Sequence, residues 1–179
     1  MSGLVRSLAA LALSAAFLLP AAAQTRDPMD HFFNPFLGDF RAELTEAKRA
    51  NKTGVMVMYH FEECPSCQWM KANILSREDV QAYYRARFVL LPLDTLGALT
   101  ITDFNGKEWT EKAFARSIPI RGTPTFIFYD LDGRPVVRHV GRVRDAAEFM
   151  LLADFVASGS YRTMQFTQYR QSMHAKKGT

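Results

Sequence analysis

Val55 to Lys71 reads VMVMYHFEECPSCQWMK. Its first part, Val55 to Phe61, is a nearly continuous apolar run, the pattern of a strand buried on both faces. Cys64 and Cys67 follow, and Cys67 to Leu75 has the character of a helix. These are the only 2 cysteines of the 179 residues, too few for a disulfide-stapled scaffold. A loop as small as Cys64-Pro65-Ser66-Cys67 removes little entropy from the unfolded chain, so redox or metal chemistry explains it better than structural duty. Redox chemistry needs an exposed thiolate and a second thiol within reach. A cysteine at a strand end that begins a helix meets the first need, because the unpaired amides there stabilise its negative charge. Cys67, about one turn later, meets the second. Pro65 suits the first helical turn, where its missing donor costs nothing. Zinc uses the same cysteine spacing but wants four ligands. Only His31, His60, His139 and His174 could add to the pair, and His60, the nearest, lies in the strand, so no metal is expected.

Far along the chain, Arg121 to Gly141 reads RGTPTFIFYDLDGRPVVRHVG. Thr125 to Asp130 predicts a buried strand, Asp132-Gly133 a turn, and Pro135 to Gly141 a strand returning beside it. Pro124, held after Gly122-Thr123 at the entry to that strand, is a candidate for a cis peptide bond.

Outward from these two stretches, Phe36 to Ala50 has apolar residues at helical spacing and Asn51 to Gly54 forms a turn. Ser76, through a Ser-x-x-Asp pattern with Asp79, predicts a capped helix to about Arg87. Phe88 to Asp94 is a second apolar strand, which Pro92 marks as ending or lying at an edge. Thr95 to Trp109 is an insertion whose Asn105-Gly106 turn predicts a hairpin. Thr110 then caps a helix to Ser117, and Arg144 to Ala157 is an amphipathic helix closed by Gly159. Strand–helix–strand units followed by an antiparallel hairpin give an α/β fold, one central mixed sheet with helices on both faces.

The ends read differently. Residues 1–23 have a basic start, a short apolar run and small residues before Gln24, the pattern of a cleaved export signal too short to stay in a bilayer. No stable membrane insertion is expected after cleavage, and the short Ala-rich leader points to the bacterial periplasm. Residues 24–35 read as a linker on the surface, 36–159 as the domain, and 160–179 as a C-terminal extension whose basic end, His174 to Lys177, is a disordered tail. The net charge of +4 falls to +3 without Arg6, well mixed along the chain, and implies no nucleic-acid partner.

With both motifs in this order, the chain resembles the thioredoxin superfamily from about Phe36 to Ala157. The resemblance implies a thioredoxin fold with an inserted segment before the cis-proline loop. It implies Cys64 as nucleophile, Cys67 as resolving thiol, and Pro124 as a cis-proline facing them. Thr123 would pair through its backbone with a peptide substrate, in the manner of an added strand, with Pro65 and Ser66 beside it. No cofactor is implied beyond the redox-active disulfide Cys64–Cys67. More narrowly, FEECPSC, the inserted ITDFNGKEWTEKAFAR and the terminal YRTMQFTQYRQ are similar to the SoxW family, periplasmic thioredoxins encoded with sulfur-oxidation genes. That likeness implies a reductase of protein or small-molecule disulfides, kept reduced by a membrane thiol carrier, and a monomer. The rival readings are a disulfide oxidase or isomerase, a cytochrome-c maturation thioredoxin, and, in another class, a binding module whose cysteines only lock a surface. Cytosolic thioredoxins carry a buried Asp where this chain has Met58, Trp where it has Glu63, and Gly-Pro where it has Pro65-Ser66. A carboxylate beside Cys64 opposes thiolate formation, and Glu62 or Glu63 is a candidate for the proton transfer that the missing Asp performs.

Overall fold

The computed structural model describes residues 25–177, so the expected export signal lies outside the described residues. A short helix α1 (Pro28–His31) precedes α2 (Phe40–Arg49), strand β1 (Gly54–His60) and α3 (Pro65–Met70), which runs on through a π-helical turn, Lys71–Leu75. Then come α4 (Glu78–Arg85), β2 (Phe88–Asp94), β3 (Thr100–Thr102), β4 (Glu108–Thr110), α5 (Glu111–Ser117), β5 (Thr125–Tyr129), β6 (Pro135–Val140), α6 (Ala146–Ala157), a 3-10 turn (Ser160–Arg162) and α7 (Phe166–Lys177).

The main sheet has the order β2-β1-β5-β6, with β1 and β2 parallel and β5 antiparallel to both β1 and β6. The expected mixed sheet is therefore present. β1 and β5 are its central strands, and their apolar runs reflect burial on both faces. β2 is an edge strand, which is how Pro92 sits in register with Met58 without breaking the ladder. Gly54 opens β1 because a Cβ there would stand 2.1 Å from the Tyr129 carbonyl oxygen.

Alternate residues of β1 feed two cores. Met56 and Met58 face α3, α4 and α6, with Phe126, Phe128 and Phe149. Val55, Val57 and Tyr59 face α2 and α5, with Phe40, Leu44 and Phe114. The buried tyrosine hydroxyls are paired: those of Tyr59 and Tyr129 lie 2.6 Å apart, and that of Tyr84 donates to the Phe149 carbonyl at 2.7 Å. The insertion forms the expected hairpin, with Ile101 opposite Trp109. Its Trp109 indole donates to the Asp103 carboxylate at 2.8 Å with Lys107 across the ring, so this tryptophan serves the hairpin itself. Thr110 caps α5 through Ala113 N–H, as its position predicts.

Four expectations need correction. Residues 24–35 are not a surface linker where described: Phe32 and Phe33 are essentially fully buried, Phe32 against Phe33, Tyr84 and Phe149, and Asn34 binds both polar backbone groups of Leu90. Ser76 does not cap α4, since its hydroxyl turns back to the Ala72 carbonyl at 2.7 Å and Arg77 holds the cap position without a side-chain bond. The C-terminal extension is helical to Lys177 rather than a tail. Phe166 and Tyr169 pack on Phe155, and Arg170 pairs with the buried Glu148. α2 also starts later than expected, at Phe40, where the Asp39 carboxylate caps Arg41 and Ala42.

Candidate active site

β1 delivers the chain to one end of the sheet, and Phe61 to Glu63 turn it into α3. Cys64 is the N-cap of that helix: its carbonyl accepts from Gln68 N–H at 3.0 Å and its Sγ accepts from Cys67 N–H at 3.1 Å. Pro65 occupies the first turn, as expected. Cys64 and Cys67 form a disulfide across a Cα–Cα separation of 5.2 Å. Contrary to the exposure expected of Cys64, both are almost covered in the disulfide form, Cys64 being 2 % and Cys67 1 % exposed, while Pro65 is exposed and Ser66 half-buried.

The second motif comes to the same place. The Thr123–Pro124 bond is cis, and the Pro124 carbonyl accepts from Gly141 N–H at 2.7 Å, fixing the loop to the end of β6. The Thr123 hydroxyl donates to Cys64 Sγ at 3.2 Å. Two residues 59 positions apart therefore meet at one sulfur. The Thr123 backbone N–H and C=O make no hydrogen bond among the described residues. This hydroxyl contact is a feature that the sequence reading missed, having assigned Thr123 only a backbone role.

Glu62 and Glu63 are both exposed; the Glu62 carbonyl accepts from the Gln68 side chain at 3.1 Å. Met58 is fully buried between Pro92 and Phe126, so no carboxylate stands in the sheet below the sulfurs at that position. His60, also on this side of β1, is pushed down to about 4 by burial and by the nearby Lys71 ammonium, and its buried Nδ1 has no hydrogen-bond partner. Burial likewise lowers Lys71, against the opposing pull of Asp27, Glu62 and Asp94. Trp69 lies half-buried on α3 with the Arg142 guanidinium 4.8 Å from its ring. Among the described residues, no three His, Cys, Asp or Glu side chains converge as a metal site. A sulfur held by a helix-start amide and a hydroxyl can carry negative charge once reduced, which is the requirement for thiol–disulfide exchange.

The family model for a thioredoxin-like domain matches residues 40–157, a span that contains both cysteines and the cis-proline loop. The chain belongs to the thioredoxin-like family. Solved structures agree in fold. A thioredoxin from Thermus thermophilus is 30% identical, with a TM-score of 0.51 over 66% of this chain and 83% of that one. A thioredoxin-fold protein from Helicobacter pylori is 15% identical, with a TM-score of 0.57 over 72% of this chain and 86% of that one. The oxidoreductase DsbH is 12% identical, with a TM-score of 0.53 over 81% of this chain and 95% of that one. A search of curated proteins finds no match.

Proposed function

We propose that this thioredoxin-like protein is an exported thiol–disulfide oxidoreductase that reduces substrate disulfides in the periplasm. The observation that carries the reading is the Cys64 sulfur, which receives both the Cys67 amide and the Thr123 hydroxyl beside cis-Pro124. A module that merely bound partners would require neither paired cysteines nor a donor aimed at one of them. The 30% identity to a thioredoxin supports the same chemistry.

In the dithiol form, the Cys64 thiolate attacks one sulfur of a substrate disulfide and forms a mixed disulfide, and the other substrate sulfur leaves as a thiolate and takes a proton. Cys67 then loses its proton and attacks Cys64 Sγ. The second substrate sulfur leaves, and the enzyme is left with the Cys64–Cys67 disulfide. Two electrons have passed from enzyme to substrate. A membrane thiol carrier returns them by the same exchange in reverse, as in the SoxW-like role proposed here. Thr123 offers its free backbone groups to the substrate strand, with Pro65 and Ser66 at the edge of the contact. Glu62 and Glu63 reach the site only through solvent, as water-side proton acceptors. The leader read from residues 1–23 supports export.

The direction of electron flow is tested by acid quench and alkylation of the thiols in living cells. A reductase fed by a donor keeps Cys64 and Cys67 largely reduced. A pair that is largely oxidised while the donor is present would replace the reductase reading with an oxidase.

A further inference from the structure

A groove of about 760 Å³ is lined by Thr123, whose hydroxyl bonds Cys64 Sγ, and by Thr95 and Leu96 at the start of the insertion. Phe61, Ile118 and Ile120 give it an apolar floor, and Leu96, 58 % exposed, stands at its rim. Two charged side chains line it, Arg116 at the end of α5 and Arg121 in the cis-proline loop, and no acidic residue does. Both arginines are exposed, and neither has a carboxylate within salt-bridge distance among the described residues. Some other surface arginines are paired, Arg49 with Glu46, Arg77 with Asp79 and Arg134 with Asp132, whereas Arg138 and Arg142 have no carboxylate partner among the described residues. Arg138, bonded to the Pro119 carbonyl at 2.9 Å, and Arg142 over Trp69 extend the positive charge around the site. The counter-charge sits before Cys64, on Glu62 and Glu63.

Building on the oxidoreductase reading, we infer that this groove selects polypeptide substrates whose disulfide is flanked by acidic residues. Thr123 links groove to chemistry, because its hydroxyl touches Cys64 Sγ and its backbone groups are free to pair with an extended strand. A strand so paired runs along the apolar floor and places its flanking side chains between two unneutralised guanidiniums. Carboxylates there complete forked ion pairs; ammonium groups there meet like charge.

The test uses three synthetic peptides, each with one internal disulfide and differing only in flanking Glu, Gln or Lys residues. Pre-reduced full-length protein is mixed with each, and the single-turnover rate is followed at low and at high salt. With exposed pairs worth a few tenths to one kcal/mol each, the Glu peptide reacts about threefold to tenfold faster than the Lys peptide at low salt. The ratio approaches one as salt screens the groove. Replacing both arginines with Gln flattens the ratio, and Arg116→Glu with Arg121→Glu reverses it. Equal rates for the three wild-type peptides, or a preference that both double variants retain, would overturn the inference. Hydroxyethyl disulfide, neutral and too small to fill the groove, reports the dithiol alone. If wild-type protein does not reduce it, the oxidoreductase reading falls and the inference with it. If it is reduced while the peptides show no charge preference, only the inference falls.

Discussion

Replacing Thr123 with Val removes the one side-chain hydroxyl on the Cys64 sulfur while keeping the shape of the residue. The sulfur is almost wholly covered, so water cannot take over the vacated bond without opening the site. A hydrogen bond to a charged group contributes about 1.5–3 kcal/mol, and sulfur is a weak acceptor, so the lower end applies. One pKa unit corresponds to about 1.4 kcal/mol. The Cys64 thiolate of Thr123→Val should therefore form about one unit higher than in the wild type, and Thr123→Ser should restore it. Glu63 pushes in the same direction as the loss of the hydroxyl, but it is exposed, and two charges 4 Å apart in water interact by only about 1 kcal/mol. Glu63→Gln should accordingly shift the thiolate down by less than Thr123→Val shifts it up. The assay is the rate of Cys64 alkylation by iodoacetamide in reduced protein across the pH range, read by mass. A Thr123→Val protein that titrates at the wild-type pH would refute the assignment of the hydroxyl.

Two further outcomes follow from burial. Phe32→Ala, which empties a space between Tyr84 and Phe149, should cost about 3–5 kcal/mol of unfolding free energy in urea, whereas a residue of a surface linker would cost under about 0.5 kcal/mol. His60 makes stability fall with acid: its folded value of about 4 lies below the ordinary 6.5, so the unfolded chain takes up the proton first as pH drops. The loss begins near pH 6.5, is complete near 4, and amounts to about 3 kcal/mol. His60→Gln should show a correspondingly flatter decline over that window, and an unchanged slope would mean that His60 protonates freely in the folded protein.

The sheet and the two motifs were legible because each rests on a local signal that tertiary structure reinforces. Val55 to Tyr59 and Thr125 to Tyr129 are apolar on both faces since both strands are central. Thr110 sits just where an N-cap is needed and nothing competes for its hydroxyl. Ser76 carried an equally good pattern, but the π-helical turn before it offers the Ala72 carbonyl first. Phe32 and Phe33 escaped because two adjacent residues have no period; only the core they enter explains them. The amphipathic signal of α7 was weak for a related reason, since it covers α6 with a few aromatic contacts and one ion pair rather than a continuous apolar face. At the site, spacing announced the cysteine pair and the cis-proline. The Thr123 hydroxyl meets a sulfur 59 positions away, and the arginines of the groove share it with residues from distant segments, which no local pattern encodes.

The central claim, that Cys64 attacks and Cys67 resolves, is tested most directly by Cys67→Ala. Reduced Cys67→Ala protein mixed with a disulfide peptide should accumulate a mixed disulfide on Cys64, seen as a mass increase equal to the attached peptide and reversed by dithiothreitol. Cys64→Ala under the same conditions should form no such adduct and should not accelerate the reduction of insulin by dithiothreitol. An adduct that accumulates on Cys67 of the Cys64→Ala protein instead, or undiminished insulin reduction without Cys64, would contradict the account.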